Sequence, residues 1–122
     1  MSQHQYVTGF LQEPTVAVNI LTNGSGVSQS LAIWDVTAVA NMAWNAAGAV
    51  GQHVTLTING VVVCIVDHAV FSTNHDTATP YWNLGGQQFP FPNGSSVAIN
   101  APAGPTFCRV SFGVVYDVVT GS

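Results

Sequence analysis

The stretch His53-Val54-Thr55-Leu56-Thr57-Ile58-Asn59-Gly60-Val61-Val62-Val63-Cys64-Ile65-Val66 decides the fold class. Val54, Leu56 and Ile58 alternate with Thr55 and Thr57. A period of two puts the apolar side chains on one face of an extended strand. Asn59-Gly60 follows at once, and this pair tolerates the positive φ angles of a two-residue hairpin turn. The return run, Val61 to Val66, is apolar on both faces. It is expected to be covered on both, as a central strand or as a contact between chains.

The same signals recur on either side. Thr15 to Leu21 reads as a strand with Val16, Val18 and Ile20 on one face. Ser96 to Asn100 is a short one, and Thr106 to Val119 a long one rich in β-branched and aromatic residues. Turn pairs punctuate these runs at Asn23-Gly24, Gly85-Gly86 and Pro92-Asn93-Gly94. Short strands between frequent turn residues are the pattern of an all-β sandwich or barrel.

Leu31 to Val50 holds seven alanines, and alanine favours helix. Its alternation argues otherwise. Trp34, Val36, Ala38, Ala40, Met42 and Trp44 share one parity and are all apolar. This predicts a strand with one buried face, followed by a loop over Asn45 to Gln52. His68 to Gly86 is the least regular stretch, and exposed loops are expected there. Residues 1–122 are expected to form one domain.

Composition narrows the function. The chain has 122 residues, one cation (Arg109), five acids and a formal net charge of −4. Charged residues make up 5%, against about 25% in a typical soluble protein. One Arg cannot neutralise a groove's worth of phosphates, which argues against nucleic acid as a partner. No apolar run approaches the roughly 20 residues of a membrane helix. The first residues, Met1-Ser2-Gln3-His4-Gln5, lack the basic start and apolar core of an export signal, so the chain is expected to stay whole in the cell that makes it. Cys64 and Cys108 are then expected as buried thiols, with a disulfide between them left open. A surface so poor in charge tends to self-associate.

The order Trp34-Asp35-Val36-Thr37-Ala38-Val39-Ala40, Met42-Ala43-Trp44, a loop with Gly48 and Gly51, then Val54 to Gly60 resembles the jelly roll of the tumour-necrosis-factor and complement globular-head superfamily. Phe91-Pro92-Asn93-Gly94-Ser95-Ser96-Val97-Ala98-Ile99 is similar to that family's aromatic, polar turn and alternating strand. Phe107 to Val118 is similar to its closing strand. The resemblance implies an antiparallel jelly-roll sandwich and a homotrimer packed through aromatic-rich strands. Phe112 and Tyr116, of one parity on the closing strand, are the residues it would place at the three-fold contact. A domain of this kind, nearly without charge, looks like a virion component of tailed phages.

Chemistry is sparse. The four histidines and the turn serines form no nucleophile–base–acid pattern, and there is no Gly-x-Ser-x-Gly elbow. Asp67-His68 and His75-Asp76 could offer metal ligands, but at no standard spacing, and no cofactor is expected. Tyr81-Trp82-Asn83 with Gln87-Gln88 has the aromatic and amide groups that bind sugars. The expectation is therefore a non-enzymatic capsid decoration protein. It would be made in the host cytoplasm, form a homotrimer on the virion surface, and bind the major capsid protein or another virion protein. The alternative is a receptor- or carbohydrate-binding head of a fibre or spike.

Overall fold

The computed structural model describes residues 4–12, 15–44, 53–67, 76–101 and 105–120. These form nine strands: β1 (Gln5–Gln12), β2 (Ala17–Thr22), β3 (Gln29–Trp44), β4 (His53–Ile58), β5 (Val61–Asp67), β6 (Asp76–Ala78), β7 (Tyr81–Phe91), β8 (Ser96–Asn100) and β9 (Pro105–Thr120). No helix occurs among the described residues.

The strands make two antiparallel sheets. The first runs β1-β9-β3, and both β6 and β7 pair with the far side of β3. The second runs β2-β8-β4-β5. The sandwich closes because each strand offers one apolar face. From the second sheet, Val54, Leu56, Ile58, Val97 and Ile99 point inward and are buried. From the first come Val36, Ala38, Ala40, Val110, Phe112 and Val114. Large meets small across the β3–β9 register, where Ala38 sits beside Phe112 and Ala40 beside Val110. The alanines of this segment thus fill a strand core, and the alternation outweighs their helix propensity.

The expected hairpin stands: β4 pairs with β5 around Asn59 and Gly60, whose φ values are 51° and 78°. Of the two coverings expected for Val61–Val66, a central strand or a contact between chains, the first is not found: among the described residues β5 ends its sheet.

Three other expectations are corrected. Tyr81 to Gly86 is not loop but the first half of β7. The Gly85-Gly86 pair, read as a turn, is an irregularity within the strand. Both glycines have positive φ, 61° and 89°, and β7 resumes its pairing with β3 on either side of them. The simple alternation assigned to β3 also breaks. Its register slips between Ile33 and Asp35, so Trp34 is an extra residue. Leu31 and Ile33 face the core below the slip, Val36 and Ala38 above it, and Trp34 turns outward. His68 to His75, and Asn45 to Gln52 where a loop was expected, lie outside the described residues.

Asn23 joins the two turn regions at one end. It is buried, and its side-chain NH2 donates to the carbonyls of Val27 (2.9 Å) and Phe91 (2.8 Å). Its Oδ1 accepts from the Ser25 amide and hydroxyl at 3.0 and 2.7 Å. Its backbone NH donates to Ser95 and its carbonyl accepts from Gly94, both at 2.9 Å.

Candidate functional site

The outward face of the first sheet is built by the strand parities that do not face the core. β1 contributes Tyr6, Thr8 and Phe10; β9 contributes Arg109, Ser111, Gly113 and Asp117; β3 contributes Trp34, Asp35, Thr37 and Val39. β7 adds Tyr81 and Asn83. The large apolar groups stay in solvent: Tyr6 is 63% exposed, Tyr81 58%, and Phe10 and Val39 52% each.

Glycine makes room for the aromatics on this face. A side chain at Gly113 would collide with the Tyr6 hydroxyl and lie 3.1 Å from Thr37 Oγ1. Tyr6 thus crosses β9 at the one residue without a Cβ. Tyr6, Thr8, Thr37, Val39, Ser111 and Gly113 line a hollow of about 180 Å³. Pockets that enclose small ligands measure about 300–1,000 Å³, so this is a dimple in a contact surface.

Gly86 does the same for Trp34, whose Cη2 would be 2.8 Å from an added Cβ. The freed indole donates from Nε1 to Asp117 Oδ2 at 2.8 Å. His4 stacks on it with ring centroids 4.8 Å apart, and His4 Nδ1 lies 2.8 Å from the same oxygen. The His4 hydrogen bond, then that of Trp34, holds the Asp117 carboxyl below its ordinary range. Asp35, the other acid here, accepts from the Tyr81 hydroxyl. That bond raises the Tyr81 phenol above its ordinary value, with further contributions from burial and the Asp35 charge. Both carboxylates are thus committed to neighbours on their own face.

The residues singled out by sequence scatter across the fold. Phe112 and Tyr116, expected at a three-fold contact, are 1% and 6% exposed and belong to the chain's own core. Their parity is the inward one, and their rings are already covered. Tyr81, Trp82 and Asn83 share a strand but not a surface. Trp82 packs against the core, its ring 6.1 Å from that of Phe112. Asn83 Oδ1 accepts the Gly85 amide at 3.0 Å. Of the three, Tyr81 is the aromatic left in solvent. Asp67 ends β5 in the second sheet while Asp76 opens β6 in the first, and His68 and His75 lie outside the described residues. No group of three or more His, Cys, Asp or Glu suited to a metal ion occurs among the described residues. Cys64 and Cys108 are buried in different sheets and form no disulfide, and burial pushes the Cys64 thiol up to about 12. Arg109 lies exposed on the outer face, in register between Gln12 and Asn41.

Sequence reasoning missed β1 altogether. Gln5–Gln12 has apolar residues on both parities, Tyr6 and Phe10 on one, Val7 and Leu11 on the other. That pattern was the available signal. Compared with known proteins, the chain matches no family model and no curated protein.

Proposed function

We propose that this chain is a structural protein that acts by surface contact: a homotrimeric decoration or cement protein on a phage capsid. The observation that carries the reading is the outer face of the first sheet. It leaves Tyr6, Phe10, Val39 and Tyr81 half exposed or more, on a chain with one cation and five acids. Contiguous exposed apolar surface on a soluble protein marks an interaction site.

The strand order supports a jelly roll as the scaffold. Except at β4–β5 and β6–β7, successive strands cross between two sheets, one of β1-β9-β3 with β6 and β7 on β3 and the other ordered β2-β8-β4-β5, an arrangement compatible with paired Greek keys. The contact residues of the trimer are then Tyr6, Phe10 and Val39 in place of Phe112 and Tyr116. The scarcity of charge suits such a contact, because buried charges cost several kcal/mol unless paired. Little charge also means that salt screens little of the binding. The carbohydrate-binding alternative loses its central residue, since Trp82 faces the core.

Capsids assembled without this chain provide the test. Adding the purified protein is expected to raise the temperature at which they release their genome. Protein carrying Phe10→Ser and Val39→Ser is expected not to. Equal release temperatures with wild-type protein, with buffer and with the variant would overturn the proposal.

A further inference from the structure

Asparagine followed by glycine is open to a reaction of the chain with itself. The glycine nitrogen, which no neighbouring Cβ shields, attacks Cγ of the asparagine. The bond from Cγ to the side-chain nitrogen breaks, and ammonia leaves with the proton of the attacking nitrogen. Water then opens the cyclic imide at either carbonyl, giving aspartate or isoaspartate. Hyperthermophilic proteins carry fewer asparagines because of this lability.

Three such pairs lie between strands of this chain: Asn23-Gly24, Asn59-Gly60 and Asn93-Gly94. The dipeptide alone does not distinguish them; the fold does. Asn23 is buried, and four hydrogen bonds fix its side-chain amide against rotation. At Asn93 both reacting groups are engaged. Asn93 Oδ1 accepts the Gly26 amide at 2.9 Å, and the attacking nitrogen, that of Gly94, donates to the Asn23 carbonyl at 2.9 Å.

Asn59-Gly60 has neither restraint. Both residues are exposed. Among the described residues, the Asn59 side chain and the Gly60 NH have no hydrogen-bond partner. No atom beyond its chain neighbours lies within 4 Å of where a Gly60 Cβ would stand. The Asn59 amide donates to the Ser96 carbonyl at 3.1 Å, and that bond holds neither reacting atom.

We propose that Asn59 is a site of self-modification, converted with water to aspartate and isoaspartate in the folded protein while Asn23 and Asn93 are spared. The two products differ in consequence. Aspartate also tolerates positive φ and forms the same turn with glycine. The hairpin then persists, with one more acid on a chain that has five. Isoaspartate carries the chain through its side-chain carbon and lengthens the backbone by one methylene. A two-residue turn cannot absorb that length and keep Ile58 paired with Val61. The β4–β5 ladder therefore loosens from its closed end. The site lies on the hairpin of the second sheet, apart from the outer face of the first, so it stands or falls separately from the trimer.

Peptide mapping by mass spectrometry, on protein aged at mildly alkaline pH, tests it. In the folded chain Asn59 is expected to convert at least about tenfold faster than Asn23 or Asn93, because those two must first break their hydrogen bonds. In urea, where these bonds are gone, the three are expected to convert at comparable rates. Asn59→Gly keeps a Gly-Gly turn and is expected to remove the fast conversion. The isoaspartyl form, separated by chromatography, is expected to exchange its β4 and β5 amides faster than the parent. Asn59 intact in the folded chain while it converts in urea, or Asn23 and Asn93 keeping pace with it in the folded chain, would overturn the proposal. Equal exchange in parent and isoaspartyl form would overturn the loosening.

Discussion

Phe112→Ala separates a core aromatic from an interface aromatic. Phe112 is fully buried between the sheets, its ring stacked 6.1 Å from Trp82 and its backbone beside Ala38. The small neighbour cannot expand into the vacated space, so the variant leaves a cavity. Phe→Ala changes of this kind cost about 3–5 kcal/mol, and this figure includes the lost aromatic pair. Domains of this size are stable by about 5–15 kcal/mol, so about a fifth or more of the total is at stake. With a urea slope of about 1–3 kcal/mol per M, the unfolding midpoint should fall by about 2 M. Phe112→Leu keeps most of the volume and should cost under about 1.5 kcal/mol. The assay is urea unfolding followed by circular dichroism at two protein concentrations. A core role gives a midpoint shift that does not depend on concentration. An interface role would instead lower the assembled mass and leave the unfolding of dilute chain unchanged. A loss under about 1 kcal/mol for Phe112→Ala at unchanged slope would refute the reasoning.

Three further outcomes are expected. Gly9→Ala drives a Cβ into Ile20 Cγ2 and to within 2.8 Å of Ile20 Cβ. It should cost about 1–3 kcal/mol, with much of that recovered by adding Ile20→Ala; a double-mutant cycle without coupling would contradict the contact. Asn23→Ala strips donors from the Val27 and Phe91 carbonyls. It should cost about 1–3 kcal/mol in thermal unfolding, and an unchanged Tm would show the junction to be dispensable. Asp117 has a folded pKa below its unfolded one. Its contribution is therefore complete above the ordinary carboxylate range and is lost as pH falls through the depressed value. The stability gap between wild type and Asp117→Asn should close on acidification, and a gap constant with pH would deny the pairing with His4 and Trp34.

The fold class was legible where periodicity and turn chemistry agree. Val54 to Ile58 alternates and turns on Asn59-Gly60, and the hairpin forms as read. β3, β8 and β9 are strands as read, with boundaries shifted by a residue or two. What escaped was long-range. Gly85-Gly86 looks like a chain reversal, yet it is a break within β7 that receives the Trp34 ring. Nothing local to β7 announces Trp34. The slip beside Ile33 likewise reverses the facing of half of β3, because one extra residue exchanges the two faces of a strand. On β9 the parity was grouped correctly but assigned to the wrong side. Cys108, Val110, Phe112, Val114 and Tyr116 are uniformly apolar, whereas the opposite set carries Arg109, Ser111, Gly113 and Asp117. The uniform set belongs inside. The surface aromatics, Tyr6 and Phe10, sit on a strand whose two apolar faces gave no clear alternation to read.

The molar mass of the isolated protein, by light scattering at micromolar concentration, tests the central claim most directly. A surface-contact protein that assembles through the first sheet should give three times the 12.7 kDa of one chain, and Phe10→Ser with Val39→Ser should reduce it to one. A wild-type mass of one chain, unchanged as concentration rises through the micromolar range, would contradict the account.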